Sequence, residues 1–592
     1  MMELTGQNIY QGYIQGAKLV IRNKHHLNEI NVFPVRDGDT GSNLSSMMGA
    51  ILKDARSAET PKATVESVSD AALRGARGNS GIIFAQYLSG MSIELIDGIE
   101  ITLEHFAQAS ERAVKYAYEA IDNPVEGTMI TMMKVWGQSL MALVQINSEP
   151  IVTMDIAYGE LEASLKETQF QLKDLKKAGV VDSGAKGFVY FIKGMLEFFR
   201  NGEVDHDDVD EELEELLAAP LHDEEADIHH RYCTEGFIEG EGMDVDAIRK
   251  ALRGLGDSMV VAGNERKCRV HIHSDVPAKV FEALYKHGKI TFQKADDMVK
   301  QQNIITHRRS KIALLTDTIA DLPMSMVDEE QIHLIHLHLL FQEMSFIDKL
   351  TITPAKILAY SKDAHRLPTS SQPDPKQIEN ILGYLKTYYD SVIVMTVSSQ
   401  LSGTYSNVSK VAKAMSDENF TISVIDTKQN SGAQGLLVAK ASALVNQGLS
   451  HEAIVENIKE QIPKSKILVR VKTLDSMIKS GRLSSRAGKI GKFIGLKPIV
   501  TLDAKGEGAL DGVAFSTKGS LKKLVGHMQR IHKTQKITSY SIVHINNPEE
   551  AEEFAEVFTK LLGRAPDYIT ETSSIVAVGA GDGAVALSYL IE

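Results

Sequence analysis

Apolar residues recur every third or fourth position through the first part of the chain. Ile9, Tyr13, Ala17 and Val20 share one helical face, and the same spacing predicts helices from about Val65 to Ala76 and from Ser110 to Ala120. The run GFVYFIKGMLEFF at 187–199 is apolar enough for a buried closing helix. Residues 203–227 then carry many Asp and Glu, no Lys or Arg, and Pro220 as an interruption, which predicts a solvated acidic linker. From about residue 228 the texture changes. CRVHIH at 268–273 alternates apolar and polar residues as a strand does, between helical patterns at 244–253 and 276–287, so a small α+β domain is expected. From Lys311 onward short apolar runs suit buried strands: IALLT (312–316), VIVMTV (392–397), TISVID (421–426), ILVRV (467–471) and YSIVHI (540–545). Helical patterns separate most of them, as βαβ units require.

Length and composition narrow this picture. A chain of 592 residues exceeds a single core, and 43% hydrophobic with 24% charged residues is the balance of a globular protein. No apolar run reaches membrane-spanning length and no secretory signal is evident at the N-terminus. Two cysteines, Cys233 and Cys268, exclude a disulfide framework and fit a reducing, cytoplasmic setting. A net charge of −14 argues against nucleic acid as a partner. One compact basic stretch, Lys479 to Lys497, could offset phosphate charge or touch an anionic membrane; a solvated surface is the simpler reading.

Candidate chemistry begins at NVFPVRDGDTGSN (31–43). Asp37 and Asp39 flank Gly38, and two carboxylates this close can converge on one hard cation; an Asx-rich turn is the alternative reading. GARGNSG (75–81) precedes the apolar helix IIFAQYL (82–88), so backbone N–H groups and Ser80 can face an anion, or merely begin a helix. Glu126-Gly127-Thr128-Met129 and Val181-Asp182-Ser183-Gly184-Ala185 add small polar loops beside helices. None of these is a P-loop.

Together, DGDTG, GARGNSG, GTM and VDSGAKG, in this order, resemble the nucleotide domain of the dihydroxyacetone kinase family, and more specifically the kinase subunit of bacterial fatty acid kinase. The resemblance covers roughly 1–200 and implies an all-helical barrel holding ATP through Mg²⁺. It makes Asp37 and Asp39 the metal ligands and catalytic pair, with Asn31 and Asn43 beside them. Ser80, Gly81 and Thr128 then contact phosphates, and Asp182 and Gly184 lie near the nucleotide. Arg36 and Ser42 stand where the family has proline and threonine, and neither change removes a ligand.

In the middle segment, His271 and His273 fall two apart on a predicted strand and so share a face. With Cys233 they could form three corners of a zinc site, or be a buried small hydrophobe and a polar strand face. YCTE (232–235), GDSMVVAG (256–263), VHIHSDVP (270–277) and DDMVKQQ (296–302) resemble the middle domain of the kinase subunit of fatty acid kinase. That resemblance implies a zinc site at Cys233, His271 and His273, with Cys268 outside it.

The second half offers serine- and glycine-rich loops after strands, LPTSSQP (367–373), SSQLSGTY (398–405) and GRLSS (481–485), suited to a carboxylate ligand or to ordinary turns. With TDTIADLP (316–323), VIDT (424–427) and KPIV (497–500), they resemble the DegV fatty-acid-binding family. This implies a two-lobed α/β protein with a tunnel for an acyl chain, in which Ser371, Ser402 and Gly403 lie near the head group and Arg482 supports them. Two departures stand out. The family's late HxGPG motif is replaced by Gly579-Ala580-Gly581-Asp582-Gly583, and its kinase-facing arginine is missing from VAFS (513–516).

The expected architecture is therefore multidomain: a helical-barrel ATP domain over 1–202, the linker 203–227, an α+β middle domain over 228–308 and a DegV-like α/β domain over 309–592. The expected activity is ATP- and Mg²⁺-dependent phosphorylation of a bound fatty acid, with zinc as a further metal. A homodimer and an acyl-phosphate-using enzyme at the membrane surface are the expected partners. A non-catalytic lipid-binding protein and a kinase for a triose-like molecule are the alternatives.

Overall fold

The computed structural model describes residues 4–33, 38–121, 124–147, 149–202, 228–363, 366–483 and 496–592. The acidic stretch 203–227, Asp37 and most of Lys479–Lys497 lie outside the described residues. The chain divides into two compact units, Met1–Gln302 and Asn303–Glu592.

The first unit opens with helices α1 (Gly6–Arg22), α2 (Lys24–Glu29), α3 (Thr40–Asp54), α4 (Pro61–Gly75), α5 (Gly78–Glu94), α6 (Leu103–Glu119), α7 (Met129–Val144), α8 (Pro150–Gln171), α9 (Lys173–Ala178) and α10 (Ser183–Asn201). Local chemistry sets their ends. Thr5, Thr60 and Asp182 accept backbone N–H groups at the starts of α1, α4 and α10, and left-handed glycines at 179 and 202 stop α9 and α10. Ile9, Tyr13, Ala17 and Val20 are all buried, as their spacing predicts. Neighbours form a closed series: α3 packs on α4, α4 on α5, α5 on α6, α6 on α7, α7 on α8, α8 on α10, α10 on α1 and α1 on α3. Trp136, Phe84 and Phe188 fill the interior of this helical barrel. One departure from an all-helical layout is a two-residue strand pair, β1 (Leu4–Thr5) with β2 (Glu100–Ile101).

The same unit continues into a four-stranded antiparallel sheet made of β3 (Tyr232–Glu239), β4 (Asp257–Gly263), β5 (Lys267–Ser274) and β6 (Lys289–Asp297), in the order β4-β5-β3-β6. Helices Val245–Leu252 and Pro277–Tyr285 follow the predicted patterns, and Leu284 and Phe281 close on Gly236, where a Cβ would sit 2.8 Å from Leu284 Cδ1. On the other face, Phe237, Val260 and Ala262 join the apolar core of the helical barrel. The expected helical and α+β domains thus share one core.

In the second unit, β7 (Ile312–Asp317), β8 (His333–Ile335), β12 (Ser391–Thr396) and β13 (Thr421–Asp426) form a parallel sheet in the order β13-β12-β7-β8. Between them in sequence, β9 (His338–Phe341), β10 (Met344–Ile347) and β11 (Thr369–Ser371) make a small antiparallel sheet. A six-stranded sheet follows, from β14 (Ser465–Arg470), β15 (Lys497–Leu502), β16 (Gly508–Ala514), β17 (Ile537–His544), β18 (Tyr568–Glu571) and β19 (Val585–Ile591), in the order β16-β15-β14-β19-β17-β18. This corrects one expectation. The runs at 467–471 and 540–545 do form strands, but β14 pairs antiparallel with β15 and β19, and β17 is parallel only to β18. Helices Thr517–Thr534 and Pro548–Leu562 bury one face of this sheet, so its strands are as apolar as βαβ strands while running in alternate directions.

Helix Ser431–Asn446 contributes Ala433, Leu436, Leu437 and Val438 to a core that also takes Ile393 and Met395 of the parallel sheet and Ile467, Val543 and Ala586 of the six-stranded one. It is sandwiched between two sheets. Gly432 allows this contact, because a Cβ there would come within 2.8 Å of both Ser541 Oγ and Ser588 Oγ.

Candidate functional site

In the helical barrel, four helix starts come together. Asp39 precedes α3, and its carbonyl accepts the Asn43 N–H at 2.8 Å. Asn43 lies against the start of α5: a Cβ on Gly78 would be 2.3 Å from Asn43 Nδ2, and Gly78 has φ +56°. Only glycine meets both conditions. Ser80, in the first turn of α5, faces the start of α10, where a Cβ on Gly184 would lie 3.0 Å from Ser80 Oγ and 3.4 Å from Asp182 Oδ1. Asp182 in turn accepts the Ala185 N–H at 2.7 Å and the Met129 N–H that begins α7. Thr128 precedes Met129, its hydroxyl donating to the Val125 carbonyl.

Asn43, Ser80, Gly81, Thr128, Asp182 and Gly184 therefore occupy the starts of α3, α5, α7 and α10. The positive ends of helix dipoles favour an anion at such a place, although Asp182 and Glu235 already accept the N–H groups of Ala185, Met129 and Gly78. Asn79 Oδ1 is buried there without a hydrogen-bond partner. Burial pushes the Asp182 carboxyl up to about 7. Of the expected acidic pair only Asp39 is described, partly exposed at the edge of this cluster.

The middle sheet presents one face to the same place. On β3, Cys233, Glu235 and Phe237 alternate onto it, opposite His273, His271 and Arg269 of β5. Potential ligand atoms of Cys233, His271 and His273 lie within 4.8 Å of one another, with Cys233 Sγ 3.9 Å from His271 Nδ1. Enclosure holds His273 down at about 3, so its imidazole is neutral, and pushes the Cys233 thiol well up, helped by the Glu235 charge. Two imidazoles and a thiol that ionises on binding suit zinc, whose bonds of about 2.0–2.3 Å require only a small contraction of the cluster. Cys268 is buried away from it, as the motif predicts.

Glu235 joins the two places. Its Oε1 accepts the Gly78 N–H at 3.0 Å, and its Oε2 accepts from Arg269 Nη2 at 2.7 Å. Burial works against its charge, but His271 and Arg269 hold the carboxyl well below the usual range.

The second unit holds a cavity with a mainly apolar lining. Its apolar wall is the inner face of the six-stranded sheet: Ile467 and Val469, Val500 and Leu502, Val543, and Ala586. Its polar lining includes Ser370, Ser371, Ser402, Asn430, Ser431 and Thr572, with Arg482 Nη2 donating to Ser370 Oγ at 2.9 Å. Ser431 and Thr572 are pinned by one buried carboxylate: both hydroxyls donate to Asp321 Oδ2, at 2.6 and 2.5 Å. Ser371, Ser402 and Arg482 thus meet at one cavity. Gly403 is not among its lining residues; it precedes helix Thr404–Met415 and packs closely on Gln372. Gly579 lines the cavity with nothing within 4 Å of the place a Cβ would take.

Family models match in three consecutive stretches: a DAK2 domain over residues 34–197, a FakA-like middle domain of the fatty acid kinase type over 229–305, and the DegV family over 311–592. All three domains lie in this one chain.

Protein YloV of Bacillus subtilis (strain 168) is 31% identical over 322 residues, which are 52% of this chain and 58% of that protein. An uncharacterised protein of Staphylococcus aureus (strain USA300) is 28% identical over 325 residues, 52% of this chain and 59% of its own. This chain covers less than two thirds of either relative. Among solved structures, a fatty acid binding DegV family protein from Streptococcus agalactiae is 26% identical, with TM-score 0.44, covering 48% of this chain and 100% of that one. DegV of Bacillus subtilis, a fatty acid binding protein, is 25% identical with TM-score 0.44 and the same coverage. Among the described residues, no helix is long and apolar enough to cross a membrane.

Sequence reasoning met Glu235 only within YCTE and Ser370 only within LPTSSQP, giving neither a role, and did not reach Asn430, Ser431 and Thr572. Glu235 was within reach, since it stands two residues from Cys233 and must share its strand face. Thr572 and Ser431 carried no such signal, because only the tertiary fold brings them to one carboxylate.

Proposed function

We propose that the chain transfers the γ-phosphoryl group of ATP, held in the DAK2 domain, to the carboxylate of a fatty acid held in the DegV domain, giving acyl phosphate and ADP. The observation that carries this reading is the pairing, in one chain, of four converging helix starts with a cavity whose wall is apolar and whose polar lining is hydroxyls, an amide and an arginine. The first suits phosphates and the second suits an acyl chain with an anionic head.

The donors fit the groups implied. Asp39, with Asp37, would hold Mg²⁺, which when bound neutralises phosphate charge. Ser80, Gly81 and Thr128 would orient the phosphates, with Asn43, Asp182 and Gly184 shaping the nucleotide site. Cys233, His271 and His273 would hold zinc. In the DegV domain, Arg482, Ser371 and Ser402 would orient the fatty acid carboxylate, with Gly403 behind them. A carboxylate is ionised at neutral pH and attacks in line without a strong base, so catalysis rests on positioning. A cytoplasmic setting keeps Cys233 and Cys268 free. An acyl-phosphate-using enzyme at the membrane surface would consume the product, and a homodimer is the proposed assembly.

A non-catalytic lipid carrier is the second reading, favoured by the open space at Gly579, where the DegV resemblance leads one to expect a head-group histidine. The apolar cavity wall speaks against a triose-like substrate. ADP release with Mg·ATP, measured with and without saturated and unsaturated fatty acids, separates these. Fatty-acid-dependent turnover that disappears in Asp39→Ala is the expected result. Bound lipid without turnover would leave the carrier reading standing.

A further inference from the structure

Glu235 is 2% exposed, and its partners belong to two different pieces of chemistry. Oε1 accepts the N–H of Gly78, the first residue of α5, whose first turn carries Ser80 and Gly81. The same oxygen lies 3.7 Å from His271 Nδ1, and that nitrogen is 3.9 Å from Cys233 Sγ. Oε2 is held by Arg269, itself 1% exposed, whose guanidinium lies 4.4 Å from the Phe292 ring centroid. A carboxylate fixed this way has no room to serve one neighbour without affecting the other.

We propose that Glu235 is a positioning residue that couples metal occupancy at Cys233, His271 and His273 to the first turn of α5 in the proposed nucleotide site, so that metal and nucleotide bind cooperatively. The inference rests on the proposed function above. A divalent cation beside His271 adds positive charge next to Oε1 and fixes the carboxylate where it accepts the Gly78 N–H. Gly78, in its left-handed conformation, has no side chain to hold it, so this hydrogen bond sets the first turn of α5. A helix start fixed in advance loses less freedom when phosphate binds. Coupling is reciprocal, so nucleotide must tighten metal binding by the same factor.

The test measures affinity for Mg·ADP on the full chain, zinc-loaded and zinc-stripped, and zinc affinity by chelator competition with and without Mg·ADP. Both ratios should agree and should exceed about fivefold, the lower end of typical allosteric coupling. In Glu235→Gln, which keeps an oxygen for Gly78 but removes the charge, the ratio should fall towards one while both ligands still bind. A merely structural residue would weaken both affinities and leave the ratio unchanged. A wild-type ratio near one with zinc and nucleotide each bound overturns the coupling alone, whether or not the variant folds. Retention of the ratio in Glu235→Gln overturns the role of this residue. Failure of the wild-type chain to bind zinc or Mg·ADP overturns the coupling together with the reading on which it rests.

Discussion

Buried carboxylates show how much of the site a residue-by-residue reading can reach. Asp182 was legible as a small polar loop beside a helix, but its burial between the starts of α7 and α10 was not. That burial has a pH consequence. Because the folded pKa is raised to about 7, the folded protein keeps a proton that the unfolded chain loses near its ordinary value of about 4. The resulting stability is complete below pH of about 4 and is lost as pH rises through about 7, amounting to at most about 4 kcal/mol. The thermal midpoint of the first unit should therefore fall as pH rises from about 4 to about 7, the interval between the unfolded and folded values, and level off above it. Asp182→Asn should remove this component from the midpoint-versus-pH curve; an unchanged slope in the variant would assign the effect to other groups. Gly78 shows the opposite case. Its place in GARGNSG marks a special backbone, but the residue it must clear, Asn43, is set by the packing of α3 on α5.

At the scale of elements, periodicity located most of what the fold uses. The 3.6-residue pattern of α1 and the two-residue pattern of β5 both place their marked residues on one face, buried in the first case and shared by His271 and His273 in the second. Strand direction was beyond reach. An apolar run records that both faces are covered, and the helices Thr517–Thr534 and Pro548–Leu562 cover an antiparallel sheet as fully as crossover helices cover a parallel one. The helix Ser431–Asn446 is similar: its weak amphipathicity follows from having a sheet on either side. Gly432→Val should wedge these layers apart, costing about 1–3 kcal/mol of second-unit stability in urea unfolding. Gly526→Ala, on an open helix face where nothing lies within 4 Å, is the control and should stabilise by about 0.5–1 kcal/mol. Equal effects of the two substitutions would contradict the sandwiched packing.

For the whole molecule, separate cores in Met1–Gln302 and Asn303–Glu592 predict separate responses to ligands. If zinc and lipid bind as proposed, chelating zinc should lower the calorimetric transition of the first unit, and stripping lipid should lower that of the second. Restoring either ligand to about 100 times its Kd should return about 2.7 kcal/mol to its own unit. A single transition that moves with both ligands would contradict this division. The order of strands in the six-stranded sheet bears on how such a chain is made. Late in sequence, β19 lies between β14 and β17 and supplies Ala586 to the cavity wall. A ribosome releases the helix starts, the middle sheet and the parallel sheet long before it releases that strand. Until then β14 and β17 each keep a bare edge, and the cavity has no closed wall. Nascent chains therefore complete the converging helix starts before they close the apolar cavity, and chaperones would be expected to meet them in that interval.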